Sequence, residues 1–348
     1  SYICVRDSLT AMRHELEHKP ADWPLLWAIH ANAVQKEIEA IYRIHIWDKD
    51  TFLYDRHGNY YTGEFDALPV RGAYIKHSAL FAHAFLFLYS KTLNPEHLHW
   101  AQQAADFYWR HRNTTTNLIP GHISHDDNGT GDSIDSMEVA YYLLEALHYH
   151  DDPFIRERAL GIVDAFMKYG MNMATGDMAN VLDITTGEVK SWASASWCHN
   201  GGDGYCAAWA LWDAYACTGE PKYLTALALR LKRLEKEPLT GKITPGAVGN
   251  WLKLLVHAYQ ATENKDYLLD ARSLAAWSVE NLVKNDLILE SASGYVYLNY
   301  ARPGDLMGAW LDLYQAEMNR PLHWQGPQEA ASGIHAVQIK AETRNPEQ

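Results

Sequence analysis

The amino-acid sequence predicts an all-α protein built from stacked helical pairs, and three observations carry that reading. One turn recurs: SKTLNPEHLHWA at Ser90–Ala101, HYHDDPFIRERA at His148–Ala159, ACTGEPKYLTAL at Ala216–Leu227 and QATENKDYLLDA at Gln260–Ala271. Each joins two stretches of helical periodicity through a short polar turn, and a lone helical pair cannot bury its own apolar face, so neighbours must stack. The two members of each pair also differ: the first is apolar nearly all round, as buried helices are, and the second is charged along one face. Finally, the connections alternate in length. They are a few residues inside each pair and long between pairs, and long connections in a compact domain usually carry function.

Taken in order, the apolar first helices are Leu25–Ile44, Ser78–Lys91, Met137–His150, Tyr205–Thr218, Val248–Ala261 and Asp305–Met318. The one-faced second helices are His97–Arg112, Phe154–Tyr169, Lys222–Glu237 and Lys265–Lys284. Arg6–His18 is read as the outer helix that closes a ring with the last pair, and Gln328–Glu342 as a final outer helix. Six inner helices make an (α/α)6 barrel or toroid, and the irregular stretch Trp47–Val70 leaves room for a seventh pair. Alternation in Gly294–Tyr300 predicts a short β-arm near the cleft. Residues 1–348 are read as one catalytic domain.

Composition bounds the function. A hydrophobic share of 47% fills a large core, and no apolar run reaches the roughly 18 residues of a membrane span. A net charge of −13 argues against a nucleic-acid backbone as partner but leaves room for an anionic substrate at a local cationic cluster. Cys4, Cys198, Cys206 and Cys217 form no CxxC pair and no zinc spacing, and read as buried thiols. The opening SYICVRDS lacks a basic n-region, so a secreted or periplasmic protein whose leader was removed and a cytoplasmic protein both fit. The 13 Trp and 21 Tyr exceed an ordinary core's needs and suit a sugar-binding cleft. There is no Walker loop, no GxGxxG after a strand, no GxSxG elbow and no HExxH, so no organic cofactor and no metal are implied.

The long connections precede the inner helices: Tyr60–His77, Gly121–Asp135, Asn180–Tyr205, Thr240–Trp251 and Ser291–Asp305. On a ring they gather at one mouth. The densest constellation is Trp192, Trp197, Cys198, His199, Asn200, Gly201, Gly202, Asp203, Gly204 and Tyr205, where a glycine-rich loop enters an inner helix. Abstracting the C5 proton of a uronic acid requires donors for its carboxylate, a base, and an acid for the leaving oxygen. Asparagine, histidine and tyrosine supply those roles, although His199 and Asn200 serve equally well as helix caps. Tyr295, Tyr297 and Tyr300 precede Arg302 and offer alternative phenols. Arg71 and His77 add a clamp for a carboxylate, unless Arg71 pairs with Glu64 or Asp66 in its own loop.

This set resembles the Asn/His/Tyr/Arg chemistry of (α/α)-toroid polysaccharide lyases of the alginate and glucuronan lyase type. The resemblance implies β-elimination on a uronic-acid-containing polysaccharide. Asn200 neutralises the carboxylate with Arg302, His199 is base or neutraliser, and Tyr205 or Tyr300 is base or acid. Trp192, Trp197, Asp203, Arg71, His77, His125, Asn128, Tyr295 and Tyr297 then bind the sugar chain.

A competing reading rests on His122, His125, Asp126, Asp127, Asn128, Asp132 and Asp135. One of these aspartates, set against Asp203 across the cleft, makes the carboxylate pair of an inverting glycoside hydrolase, including the kind that acts on unsaturated uronides. A metal held by His122, His125 and Asp126 is the weaker reading of the same loop, whose spacing suits a turn. A barrel-type sugar epimerase and a non-catalytic glycan-binding toroid complete the alternatives.

Overall fold

The computed structural model describes residues 23–54, 72–124, 134–193, 203–236, 239, 243–294 and 301–318; at 23–32, 47, 53, 72–77, 122–124, 134–135 and 203–205 it describes the backbone alone. The chain divides into two compact units, Ser1–Ile162 with Ile184–Thr186, and Val163–Asp183 with Gly187–Gln348.

In the first unit α1 (Trp23–His45) is followed by β1 (Ile46–Asp48), β2 (Leu53–Tyr54), β3 (Gly72–Tyr74), α2 (Ile75–Thr92), α3 (Pro95–Arg110), β4 (His122–Ser124), α4 (Ile134–Ala146) and the start of α5 (Pro153–Tyr169). Its core is aromatic. Phe81, Phe85 and Phe107 are sealed from water, and the Tyr54 ring meets Phe81 at 5.1 Å and Phe107 at 5.3 Å between centroids. The Tyr54 hydroxyl accepts a hydrogen bond from the Ser78 backbone N–H at 3.1 Å, which seats the first turns of α2. Burial pushes that phenol above its ordinary range.

Helix α1 corrects the expectation for Leu25–Ile44. Over its described side chains, 33–45, it is one-faced, not apolar all round: Ile38, Ile41 and His45 are buried, while Lys36, Glu37 and Arg43 face water. Tyr42 stacks on Trp100 of α3 at 3.9 Å, so α1 behaves like the second member of a pair. Its charges, Lys36, Glu37, Glu39 and Arg43, are confined to its second half, and the apolar majority of the first half masked them.

The second unit holds the end of α5, β5 (Ala179–Leu182), β6 (Val189–Trp192), α6 (Asp203–Thr218), α7 (Pro221–Leu234), α8 (Pro245–Thr262), α9 (Lys265–Leu282), β7 (Val283–Lys284), β8 (Leu287–Ile288) and α10 (Pro303–Glu317). Helix α6 is buried from Cys206 to Ala214 and α8 over most of Pro245–Ala258: Ala207, Leu211, Ala214, Leu252, Leu254 and Val256 have no exposure. Helix α10 differs. Met307, Leu311, Tyr314 and Met318 each expose about half of their surface and follow one another at helical spacing along one face.

The recurrent turn has one geometry in both units. Thr92, Thr218 and Thr262 each donate a hydroxyl to the carbonyl four residues back, at 3.0, 2.7 and 2.6 Å. Each also accepts from the backbone N–H two residues on, at Asn94, Glu220 and Asn264. Between them lies a left-handed residue, Leu93 (φ 53°), Gly219 (φ 70°) or Glu263 (φ 55°). The residue after it is extended and caps the next helix, with Asn94 and Asn264 accepting from the N–H two positions on. The turn at Asp152 reaches the same end differently, its carboxylate accepting from Ile155 N–H at 2.9 Å.

Strands occur as four antiparallel two-stranded ladders among the described residues. The β5–β6 hairpin falls inside the expected long loop Asn180–Tyr205. The β-arm expected at Gly294–Tyr300 lies, from Tyr295 on, outside the described residues, as do Arg6–His18 and Gln328–Glu342. Cys206 is buried and Cys217 half-buried, both as free thiols; Cys4 and Cys198 lie outside the described residues.

Candidate functional site

Among the described residues, most of the sequence candidates fall at the N-terminal ends of the first-member helices. His199, Asn200, Trp197, Arg71, His125, Asn128, Asp126, Asp127, Asp132, Tyr295, Tyr297 and Tyr300 lie outside the described residues. The backbone places Asp203 and Tyr205 in the first turn of α6, His77 in the first turn of α2 and Asp135 at the start of α4. In the first unit, β3 pairs with β4 in the register Gly72↔Ser124, Ala73↔Ile123 and Tyr74↔His122. The chain entering α2 is thereby tied to the chain entering the aspartate-rich loop ahead of α4. Just past that loop Glu138 is buried, and the Tyr142 hydroxyl, one turn further, donates to its Oε1 at 3.2 Å. Trp192 closes the β5–β6 hairpin with 48% of its surface exposed, a flat ring open to solvent.

The second unit shows its geometry in most detail where α6, α8 and α10 begin. Two glycines let α8 and α10 touch. A Cβ on Gly246 would lie 2.9 Å from the Cβ of Arg302, and one on Gly249 would lie 2.6 Å from the backbone of Asp305 and Leu306. This contact corrects the reading of Thr240–Trp251 as loop up to Trp251: Thr244 caps α8, accepting from Ala247 N–H, and Gly246 and Gly249 are helical. A helix with two glycines three apart near its start reads as a loop, because glycine is usually a helix breaker. Here it serves close backbone approach.

Across that contact runs a row of polar side chains. The Trp209 indole N–H, one turn below Tyr205 on α6, donates to Asn250 Oδ1 at 3.2 Å. Asn250 Nδ2 donates to the Gly246 carbonyl at 2.8 Å and reaches Asp305 Oδ2 at 3.5 Å. Asp305 Oδ2 faces Arg302 Nη1 at 4.0 Å. Arg302 occupies the cap position of α10 in the left-handed region (φ 56°, ψ 54°), with no side-chain cap bond. Such backbone is costly for a residue with a side chain and collects at functional sites. Its side chain is mostly buried, 16% exposed.

Beneath this row His257 of α8 is buried between Trp209 and Trp212, whose rings it meets edge-on at 5.3 and 5.1 Å. Burial, assisted by the charge of Lys253, pushes its pKa down to about 3, so the imidazole stays neutral. Asn250, Asp305, Trp209, His257 and Glu138 were not nominated from sequence. A polar residue inside an apolar helix was the available signal for His257 and Glu138.

No group of three or more metal-ligating side chains is found among the described residues, and no described helix is long and apolar enough to cross a membrane. No family model and no curated protein matches the sequence.

Solved structures do match. D-mannose isomerase superposes with a TM-score of 0.60 at 15% identity, over 82% of this chain and 80% of that one. Cellobiose 2-epimerase from Spirochaeta thermophila gives 0.60 at 12%, over 79% and 78%. The α-1,6-mannanase from Salegentibacter sp. gives 0.53 at 14%, over 81% and 99%. A variant of that mannanase with two adjacent aspartates replaced by asparagine is described as inactive, in complex with α-1,6-mannotriose. At these identities the likeness shows the fold: an all-α, (α/α)6-barrel class with small strand hairpins, as the repeats predict.

Proposed function

We propose that this chain is a carbohydrate-active enzyme that hydrolyses a glycosidic bond, with its acid and base drawn from Asp126, Asp127, Asp132 and Asp135. One observation carries the reading. The sequence contains two pairs of adjacent aspartates, Asp126–Asp127 and Asp151–Asp152. The second pair is structural: Asp152 caps α5 and accepts from Gln102 at 2.9 Å, and Asp151 pairs with Arg156. The first pair lies eight residues or fewer ahead of α4. In the similarly folded mannanase, replacement of two adjacent aspartates goes with inactivity. Hydrolysis needs one carboxylic acid to protonate the leaving oxygen and one carboxylate to activate water or attack the sugar. This supports the hydrolase over the lyase as the leading function.

The test is reducing-end release from a panel of neutral and acidic glycans. Asp126→Asn and Asp127→Asn should each lower kcat by about 10²–10⁴-fold, with the melting temperature unchanged. Asp151→Asn should leave kcat alone. Product with the ultraviolet absorbance of an unsaturated sugar, or an isomerised sugar with no new reducing end, overturns hydrolysis.

Elimination from an acidic sugar stands as the second reading, favoured by Arg302. A mostly buried cation in left-handed backbone at the head of an inner-type helix suits a carboxylate, with His199, Asn200 and Tyr205 or Tyr300 as its partners in the reaction.

A further inference from the structure

We propose that His97 is an acid-released latch: it holds α1 to α3 while its imidazole is neutral, and lets α1 go when Nε2 takes up a proton.

The tautomer follows from its partner. His97 Nδ1 lies 2.8 Å from Thr92 Oγ1. That hydroxyl gives its hydrogen to the Leu88 carbonyl at 3.0 Å, so toward the ring it can only accept. Nδ1 therefore carries the proton of the neutral ring, and Nε2 is bare. Nε2 faces Glu39 Oε1 of α1 at 3.8 Å, beyond hydrogen-bond reach. The same oxygen already accepts from Gln35 at 2.8 Å.

The equivalent place in later turns is built otherwise. His97 stands five residues after Thr92; five residues after Thr218 and Thr262 stand Tyr223 and Tyr267. The Tyr223 hydroxyl donates to Asp164 at 3.0 Å and so bonds α7 to α5. Burial pushes both phenols above their ordinary range, and they keep their protons at any physiological pH. Of the three rings, His97 alone changes charge near neutrality.

Its surroundings resist the charged form. The ring is 3% exposed and packs against Trp100 at 5.0 Å, on which Tyr42 of α1 is stacked. It sits in the first turn of α3, at the positive end of the helix. From α2 it meets the uncharged Thr92 hydroxyl. Glu39 of α1 and Glu96 of α3 favour the proton, but the Glu39 side chain is 36% exposed and water screens it. Burial outweighs both carboxylates and holds the imidazole below its ordinary range. Once α1 departs, the ring meets water and returns to about 6.5. A lower value docked than undocked means that docking of α1 is at full strength above about pH 6.5 and weakens as the pH falls below it.

Amide hydrogen exchange of the full chain at about pH 7.5 and about pH 5.5, read as protection factors, tests the latch. Protection over residues 33–45 should fall several-fold in acid, within the roughly tenfold per pH unit that one proton allows, while α7 around Tyr223 keeps its protection. His97→Gln and His97→Tyr (the residue of the later turns) cannot take up the proton, and each should make the protection of α1 equal at the two pH values. Protection of α1 that is unchanged or higher in acid overturns the proposal in the natural chain alone. A fall that persists undiminished in both variants belongs to another group and overturns it too. Titration of the His97 imidazole by nuclear magnetic resonance needs no foldable variant at all: a midpoint at or above about 6.5 overturns the latch, and one below supports it.

Discussion

Helices α8 and α10 begin with nearly the same words, Thr244-Pro245-Gly246 and Arg302-Pro303-Gly304, yet they are finished differently. At α8 the cap is a threonine in extended backbone (φ −93°) whose hydroxyl accepts a helix N–H. At α10 the cap is an arginine in left-handed backbone with no such bond. Further along, α8 buries His257 among tryptophans, whereas the corresponding place on α10, Gln315, is only partly covered. The proline and glycine, which set the entry to each helix, are common to both. The difference lies in how each head is built: one closes its helix with a side-chain hydrogen bond, the other holds a non-glycine residue in backbone that costs local stability.

The largest effect should come from separating the two helices. Gly249→Ala drives a methyl into the backbone of Asp305 and Leu306, atoms that have nowhere to go. A net loss of about 2–3 kcal/mol is expected in denaturant unfolding, after overpacking outweighs the better helix propensity of alanine. Ala at Gly304, where the space is open, should cost far less.

The next effect tests how well α8 is sealed. The His257 imidazole titrates at about 3 in the folded chain and near 6.5 when unfolded. Its contribution to stability is therefore complete above about pH 6.5, and is lost as the pH falls toward 3, by at most about 1.4 kcal/mol per pH unit. Unfolding midpoints at neutral and mildly acid pH should lie closer together in His257→Gln than in the natural chain. Parallel slopes would show that α8 is wetter than its burial implies.

The smallest effects compare the heads directly. Thr244→Ala should cost about 1 kcal/mol, the worth of an ordinary cap. Arg302→Gly should gain roughly 1 kcal/mol by relieving the left-handed strain, read in denaturant unfolding. A loss of stability on that change would mean that the contacts of the Arg302 side chain outweigh the strain of its backbone.

The pairing of helices was legible because Thr92, Thr218 and Thr262 with their following Asn or Glu repeat a local hydrogen-bond pattern, which sequence spells out residue by residue. Helix α1 was misjudged because its apolar residues outnumber its charges, and only the burial of Ile38, Ile41 and His45 shows which face mattered. In the site, Arg302 was visible as a charge in a loop of tyrosines. Asn250 and Trp209 were not, because their roles arise from contacts between α6, α8 and α10 that no spacing along the chain encodes. Gly246 and Gly249 carried that information, but glycines in a polar stretch look alike whether they bend a loop or let two helices meet.

The uncovered strip of Met307, Leu311, Tyr314 and Met318 on α10 has a practical corollary. Water wets four such side chains at a cost, so a concentrated solution of this chain gains by letting copies adhere there. A lysine at position 311 breaks that strip in the middle and should weaken such adhesion.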